Sequence, residues 1–571
     1  MKHDAGKIVV IGGVAGGASA AARIKRLDEN AQVVVFERGE HVSFSNCCLP
    51  YHLSDTVADS EDLVLMTPQA FRKKHDIDVR ICSEVVSIDR AAKCVTVRNT
   101  VSGETYCETY DKLVLSPGAK PIVPADIAGT ERENVFTVRN VSDIRALKAC
   151  IDREEIQNVT VVGGGFIGIE IAENLRLAGK NVDLVELADQ ILQPFDADMV
   201  HLLHKKLDDS GVVLHLAARL REIRENAVSI GQRGEEQIIP ADAVVLAIGV
   251  RPDTELAGKA GLALTAHGAI RVNAHYQTSD PAVYAVGDAI EVYQAQTHSS
   301  GRMALAGPAQ LAARAAADHI CGICDRNNGF ISALCLRVFG LNAAAVGLNE
   351  REAARAGYDA DSVLIFPTDK VGIMPDSNYM ALKVVFAKPT GKLLGAQAIG
   401  AGDTVGRVNV IAAMLRMGAT LYDLKELNLC YSPVYGTAKD PVNLAALVGI
   451  NVLEGHLRQI HVDRVRELVE SGAYILDVRE KGEYDAGHLK NAHNIPLTQL
   501  RQRMDEIPKD VPVYLHCRSS QRSYYAICCL RGHGFENLCN ISGSYLGISL
   551  YEYYRDKTEG REPILTQYNF E

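Results

Sequence analysis

Two stretches of this chain repeat one pattern: an apolar strand, a glycine-rich turn, a helix, and a second strand that ends on an acid. In the first, Lys7-Ile8-Val9-Val10-Ile11 runs into Gly12-Gly13-Val14-Ala15-Gly16-Gly17. A small-residue helix is predicted from Ala18 to Leu27, and the strand Gln32-Val33-Val34-Val35-Phe36 ends at Glu37. In the second, Val159-Thr160-Val161-Val162 leads into Gly163-Gly164-Gly165-Phe166-Ile167-Gly168. A helix to about Leu177 follows, then a strand from Asn181 to Val185 that ends at Glu186. Such a turn lets the backbone approach a pyrophosphate, the helix N-terminus offers N–H groups and partial positive charge, and the acid reaches ribose hydroxyls. One glycine turn is weak evidence; two, each between strand and helix and each with its acid, are strong. The second is complete at Gly163, Gly165 and Gly168, whereas the first carries Val14 at its centre and keeps Gly12 and Gly17.

Two nucleotide sites on one chain point to a flavin and a nicotinamide, with hydride passing between them. Glu186 favours NADH, because a carboxylate there repels the 2′-phosphate of NADPH; NADPH stays open as the alternative. Leu113-Val114-Leu115-Ser116-Pro117-Gly118, Ala243-Val244-Val245-Leu246-Ala247-Ile248-Gly249 and Val283-Tyr284-Ala285-Val286-Gly287-Asp288 read as further strands running into tight turns. The length of 571 residues allows three to four domains. A net charge of −11 argues against nucleic acid or an anionic membrane as the main partner. No apolar run approaches the ~18 residues of a membrane span. The N-terminus lacks the pattern of a signal peptide, so a cytoplasmic location is expected. Fourteen scattered cysteines are then mostly reduced rather than a disulfide framework. Cys321-Gly322-Ile323-Cys324 has no second pair or His at metal spacing and reads as a helix end; no metal site is expected.

Cys47 lies in Ser43-Phe44-Ser45-Asn46-Cys47-Cys48-Leu49-Pro50-Tyr51, where the chain leaves the first nucleotide unit. A thiolate nucleophile needs a helix N-terminus, a cation or an electron-poor ring nearby. The following cysteines are Cys48 and then Cys82, so a C-x4-C exchange pair is absent. A lone redox cysteine stores its oxidised state as a sulfenate or as a mixed disulfide with a small thiol.

Residues 1–450 resemble the single-cysteine branch of the flavin-dependent pyridine nucleotide–disulfide oxidoreductases. The resemblance rests on the first turn, on Ser43-Phe44-x-Asn46-Cys47-x-Leu49-Pro50-Tyr51, on the second glycine cluster and on Gly287-Asp288. It points most closely to coenzyme A-disulfide and per- or polysulfide reductases. It implies FAD against Gly12, Gly13, Ala15, Gly16, Gly17, Glu37, Arg38, Ser116, Gly118, Gly287, Asp288 and Ala306. It implies NAD(P)H against Gly163, Gly165, Phe166, Ile167, Gly168, Glu186 and Gly249. Cys47 would face the flavin, and residues 330–450 would build a homodimer. Tyr435, in Tyr431-Ser432-Pro433-Val434-Tyr435, resembles a family proton donor, with Tyr379 as a second candidate. Coenzyme A phosphates call for charge-assisted donors. Arg23, Arg26, Asn46 and Lys73 are the candidates, a solvated helix face being the alternative for the cations.

Cys517, in His516-Cys517-Arg518-Ser519-Ser520-Gln521-Arg522, follows a strand and precedes a helix. A loop of this kind turns its N–H groups inward as an anion nest, with Arg522 adding charge. The spacing C-x4-R is shorter than the C-x5-R a phosphatase needs and suits sulfur. Residues from about 458 to 560 resemble a rhodanese domain, through Asp477-Val478-Arg479, Glu483-Tyr484-Asp485-Ala486-Gly487-His488 and this loop; Ser520 stands where Gly is frequent.

The expected architecture is α/β: two tandem Rossmann-like FAD and NAD(P)H domains, an α+β dimerisation domain and a C-terminal α/β rhodanese domain. The boundaries read 1–115 and 247–329 for FAD, 116–246 for NAD(P)H, 330–450 for dimerisation, a linker at 451–457, and 458–571 for rhodanese. The expected activity is NAD(P)H-dependent cleavage of S–S bonds in coenzyme A persulfide, polysulfide or coenzyme A disulfide, with Cys517 handling sulfane sulfur. The alternatives are an NADH oxidase or peroxidase cycling Cys47 through sulfenate, and a sulfur-carrier or redox-sensing module that does not turn over.

Overall fold

A computed structural model describes residues 5–324 and 327–570. The chain divides into two compact units, Met1–Asp189 with His215–Phe330, and Gln190–Leu214 with Ile331–Glu571.

The first unit contains both nucleotide folds. Strand Lys7–Ile11 lies between Gln32–Phe36 and Lys112–Leu115, and Val283–Ala285 and Asp78–Arg80 complete a parallel sheet. Apart from Asp78–Arg80, these strands are buried along nearly their whole length rather than alternately, in a core shared with helix Ala15–Leu27, helix Ala306–Ile320 and the valines Val85, Val95 and Val97 of an antiparallel sheet. The helix after the first turn is Ala15–Leu27, which opens inside the glycine run rather than at Ala18. The reason is steric: a Cβ on Gly17 would stand 1.8 Å from the Gly12 carbonyl oxygen, so helix and turn pack backbone to backbone. The second sheet repeats the plan. Asn158–Val162 pairs in parallel with Asn181–Val185 and Ala243–Leu246, and Val135–Phe136 adds to the latter.

The second unit holds an antiparallel five-stranded sheet in the order Ala333–Val338, Leu341–Gly347, Leu393–Gly400, Met380–Ala387, Ala360–Ile365. Its two strands Met380–Ala387 and Leu393–Gly400 are buried throughout. The same unit carries a parallel sheet in which Val513–His516 lies between Tyr474–Asp477 and Leu538–Ile541. Its last helix, Ser544–Glu559, is buried along most of its length. Residues 190–214, read from the sequence as part of the NAD(P)H domain, group with this unit. Their helix Ala197–Asp209 lies on Ser544–Glu559, His201 edge-on to Tyr551, His204 against Tyr554, and Asp208 paired with Lys557 at 2.6 Å. Cys321 caps the helix Ala306–Ile320, the helix end read from the sequence. Among the described residues no helix is long and apolar enough to cross a membrane, and no cluster of three or more His, Cys, Asp or Glu is placed to hold a metal ion.

Candidate functional site

The two glycine turns are built by contact. Gly12 has φ +96°, and a Cβ on it would meet the Ser116 carbonyl oxygen at 2.1 Å. A Cβ on Gly16 would lie 2.9 Å from the Ser116 hydroxyl and 3.7 Å from the Gly287 nitrogen, so the first turn, Ser116 and Gly287 converge from three places in the sequence. In the second turn Gly163 has φ +114° and faces the Ala247 carbonyl oxygen, while Gly168 faces that of Gly163. Gly165 opens onto space instead. It precedes the helix Phe166–Leu177, whose first N–H groups have no side-chain cap. A concave backbone surface with N–H groups at a helix start is what a pyrophosphate requires.

Both strand-end acids fold back on their turns. Glu37 accepts from the Gly13 and Gly39 N–H groups at 2.9 and 3.0 Å. Glu186 accepts from Gly164 and Ala188 at 2.6 and 2.8 Å. These bonds fix each carboxylate and leave it lone pairs for ribose hydroxyls. Arg38 pairs with buried Asp253 at 3.0 Å. Arg139, which sequence reading missed, donates to the Pro117 carbonyl, and burial followed by the charge of Arg38 lowers its pKa. It also partly offsets the burial that raises the Asp288 carboxyl. No local spacing announces Arg139; only folding brings it beside Pro117 and Asp288.

Cys47 stands in the first turn of the short 3-10 helix Asn46–His52. Leu49 and Pro50 bury its far side, the His52 ring bonds the Val57 carbonyl, and Ser54 donates to Asn174 on the helix Phe166–Leu177 at 2.6 Å. The Cys47 turn is thus held against the helix that follows the second nucleotide turn. Its side chain is open to solvent, yet its sulfur is flanked by enough protein that burial raises the thiol pKa, and Glu170, Cys48 and Asp288 add to the rise. Glu170 on that helix is itself pushed up to about 7 by burial and by Glu173. All fourteen cysteines are free.

A cavity of about 480 Å³ lies beside the first helix. Arg23, Arg26, Phe71, His75, Gln310 and Arg314 are among its walls. Arg23 is tied to Asp318 at 2.7 Å. Lys73 is exposed on the helix Pro68–His75 and is not part of the lining; Asn46 is exposed at the start of the Cys47 turn. Tyr435 is 77% exposed, its backbone fixed by Arg407, which donates to its carbonyl oxygen. The ring of Tyr379 lies under the Arg518 guanidinium, 4.6 Å from ring centre to carbon.

Cys517 is 1% exposed at the end of strand Val513–His516. The N-terminus of Ser544–Glu559 braces its loop: Ser544 accepts from the Cys517 N–H, and the Tyr545 and Leu546 N–H groups donate to the Cys517 and Arg518 carbonyls. Ser520 holds a left-handed conformation, φ +72°, at the place where Gly is easiest, and its hydroxyl donates to the Ile541 carbonyl. Arg522, read as charge for Cys517, makes a bidentate pair with Glu483 at 2.6 and 2.7 Å. That pair raises the Arg522 pKa further. A cavity of about 280 Å³ adjoins the loop, walled by Arg479, Glu483, Arg518, Tyr545 and Asn569 among others.

Two glycine turns and a cysteine turn in the first unit, with a separate cysteine loop in the second, are the arrangement of a two-nucleotide disulfide oxidoreductase joined to a further α/β domain. Comparison with known proteins agrees. Residues 6–313 match the pyridine nucleotide-disulphide oxidoreductase family, 336–439 its dimerisation domain, and 461–550 the rhodanese-like domain. The chain belongs to the pyridine nucleotide-disulphide oxidoreductase family and is an oxidoreductase of that family bearing a rhodanese-like domain. It is 30% identical to coenzyme A disulfide reductase of Staphylococcus haemolyticus over 441 residues, 77% of this chain and 98% of that protein. Among solved structures it is similar to reduced CoADR-RHD of Bacillus anthracis, with 39% identity, a TM-score of 0.92, and coverage of 96% of this chain and 98% of that one. It is also similar to an NAD-dependent persulfide reductase from A. fulgidus, with 32% identity, a TM-score of 0.89, and coverage of 95% and 99%. The family's FAD and NAD(P)H fit the two turns, where no side chain caps the first N–H groups of the helices Ala15–Leu27 and Phe166–Leu177.

Proposed function

We propose that this chain uses NAD(P)H, NADH by preference, to reduce the S–S bonds of coenzyme A persulfide, polysulfide or coenzyme A disulfide at Cys47, while Cys517 handles sulfane sulfur. The observation that carries this reading is the placement of Cys47 without a C-x4-C partner. Its turn is held against the second nucleotide helix, in a chain that also folds a braced cysteine loop for sulfur. The names of the relatives support the same chemistry.

The first turn, Glu37 and Asp288 would hold FAD; the second turn and Glu186 would hold the nicotinamide nucleotide. Bound FAD would supply a relay for the electron pair of NAD(P)H to sulfur at Cys47. The chain's own part is positional and acid–base. The Cys47 thiolate attacks a sulfur of the substrate; with coenzyme A disulfide this forms a Cys47–coenzyme A mixed disulfide and releases coenzyme A thiolate. Tyr435, from the partner subunit of a homodimer, protonates the departing sulfur. Arg23, Arg26 and Arg314 receive the phosphates of coenzyme A in the 480 Å³ cavity. For the persulfide the overall balance is NADH, a proton and CoA–S–SH giving NAD⁺, coenzyme A thiol and hydrogen sulfide.

The test is anaerobic NADH oxidation with each acceptor, sulfide being followed in parallel, for the unsubstituted protein and for Cys47→Ser and Cys517→Ser. Turnover lost in the first variant but retained with coenzyme A disulfide in the second supports the reading. Turnover that appears only when oxygen or peroxide is admitted sinks it in favour of an oxidase.

A further inference from the structure

Tyr379 and Arg518 are remote in sequence, and both are mounted on fixed backbone. Tyr379 closes a segment in which Thr368 and Tyr379 form a β-bridge. The Asn378 N–H donates to the Asp369 carboxylate at 2.8 Å, and buried Arg407 donates to the Asp369 carbonyl at 2.9 Å. At the other side the Leu546 N–H holds the Arg518 carbonyl at 3.0 Å, one residue beyond the equally held Cys517. Between these two pinned backbones the Arg518 guanidinium lies over the Tyr379 ring, 4.6 Å from its centre. Arg518 is also one of the residues that wall the 280 Å³ cavity next to the Cys517 loop.

We infer that Tyr379 is a positioning residue for sulfur transfer at Cys517: its ring holds the Arg518 guanidinium at the cavity wall, where an anionic sulfane-sulfur donor is received. This rests on the reading of Cys517 as the sulfur carrier. The donor's chemistry follows from the cation, and inorganic polysulfide is its simplest member. The Cys517 thiolate attacks the terminal sulfur, that S–S bond breaks, and the electron pair leaves on the shortened polysulfide dianion. The product is Cys517 persulfide, and no oxidant is consumed. The ring's π-face does the holding, so the phenolic hydroxyl is dispensable. A proton-donor role for Tyr379 requires that hydroxyl, and the two roles therefore separate on Tyr379→Phe.

The experiment follows loading of Cys517 by quenched-flow mass spectrometry on the full-length flavoprotein over a range of polysulfide concentrations. The variants are Tyr379→Phe, Tyr379→Leu, Arg518→Gln and the double substitution Tyr379→Leu/Arg518→Gln. Tyr379→Phe is expected to match the unsubstituted protein. Tyr379→Leu is expected to raise the half-saturating concentration about two- to fivefold, as for loss of one exposed cation–π contact, with the maximal rate unchanged. Arg518→Gln raises it at least as much, and the double variant is no worse than Arg518→Gln alone. Tyr379→Leu behaving as the unsubstituted protein, Tyr379→Phe failing as Tyr379→Leu does, or effects that multiply would each overturn the inference alone. Absence of loading in the unsubstituted protein would overturn the reading of Cys517 and this inference together.

Discussion

Lowering the pH should loosen the contact between helices Ala197–Asp209 and Ser544–Glu559, and His204 sets the size of the effect. His204 is completely buried, and its Nε2 accepts from the Ile191 N–H at 3.3 Å. Its Nδ1 therefore carries the proton and donates to His201 Nδ1, also at 3.3 Å. This neutral tautomer has no room for a second proton, and burial lowers the pKa from 6.5 to about 3. Between those values the unfolded chain binds a proton that the folded one refuses, so stability falls as pH falls below 6.5 and is flat above it. At about 1.36 kcal/mol per pH unit, a change from pH 7.5 to pH 5 costs about 2 kcal/mol through His204 alone. His201, lowered in the same direction by burial and by His204, adds to this. Hydrogen exchange reads the loss locally: protection factors of the amides in Ala197–Asp209, corrected for intrinsic rates, should drop at least about 30-fold over that range. In His204→Gln an amide oxygen can still accept from Ile191 but no longer titrates, so the drop should shrink by about 30-fold. The Asp208–Lys557 pair is common to both proteins and cancels in the comparison. Equal pH dependence in the two proteins, or protection that increases toward pH 5, would refute the reasoning.

Other expectations concern the candidate sites. Gly168→Ala places a methyl 1.9 Å from the Gly163 carbonyl oxygen, so the KM for NADH should rise at least about tenfold while flavin absorbance is retained. Glu186→Gln removes the charge that opposes a 2′-phosphate and should raise the NADPH-to-NADH ratio of kcat/KM by about tenfold, measured under anaerobic turnover. Arg314→Ala should raise the KM for coenzyme A disulfide about tenfold, the loss of a charge-assisted contact, and leave the KM for inorganic polysulfide unchanged. An equal rise for both acceptors would move the coenzyme A site elsewhere.

The division between what the sequence disclosed and what it hid follows the range of the interactions. The glycine turns were readable because strand, turn, helix and acid are contiguous and the last glycine of each turn meets the first, as Gly17 does Gly12 and Gly168 does Gly163. Cys47 and Cys517 stood out as candidates because each lies in a contiguous stretch that resembles a known family motif. Arg522 was seen, but its partner was not: Glu483 lies in another helix, and nothing in C-x4-R says that its guanidinium is engaged. The same holds for Lys383, 1% exposed in a strand and met by Asp196, Asp198 and Glu350 from other segments. An unpaired charge there would cost several kcal/mol, so the three acids and the lysine are bound to fold together. Asp196 and Asp198 lie in residues 190–214, which the chain order assigns to the second nucleotide domain. Their pairing with Lys383, and the seat of His201 and His204 against Tyr551 and Tyr554, place that stretch with the C-terminal unit. Local pattern therefore locates the glycine turns and the candidate cysteines, while buried ion pairs and ring contacts between distant segments decide what supports them. Tyr379 belongs to the second kind: its sequence context gives it a hydroxyl to donate, and its place in the fold gives it a cation to hold.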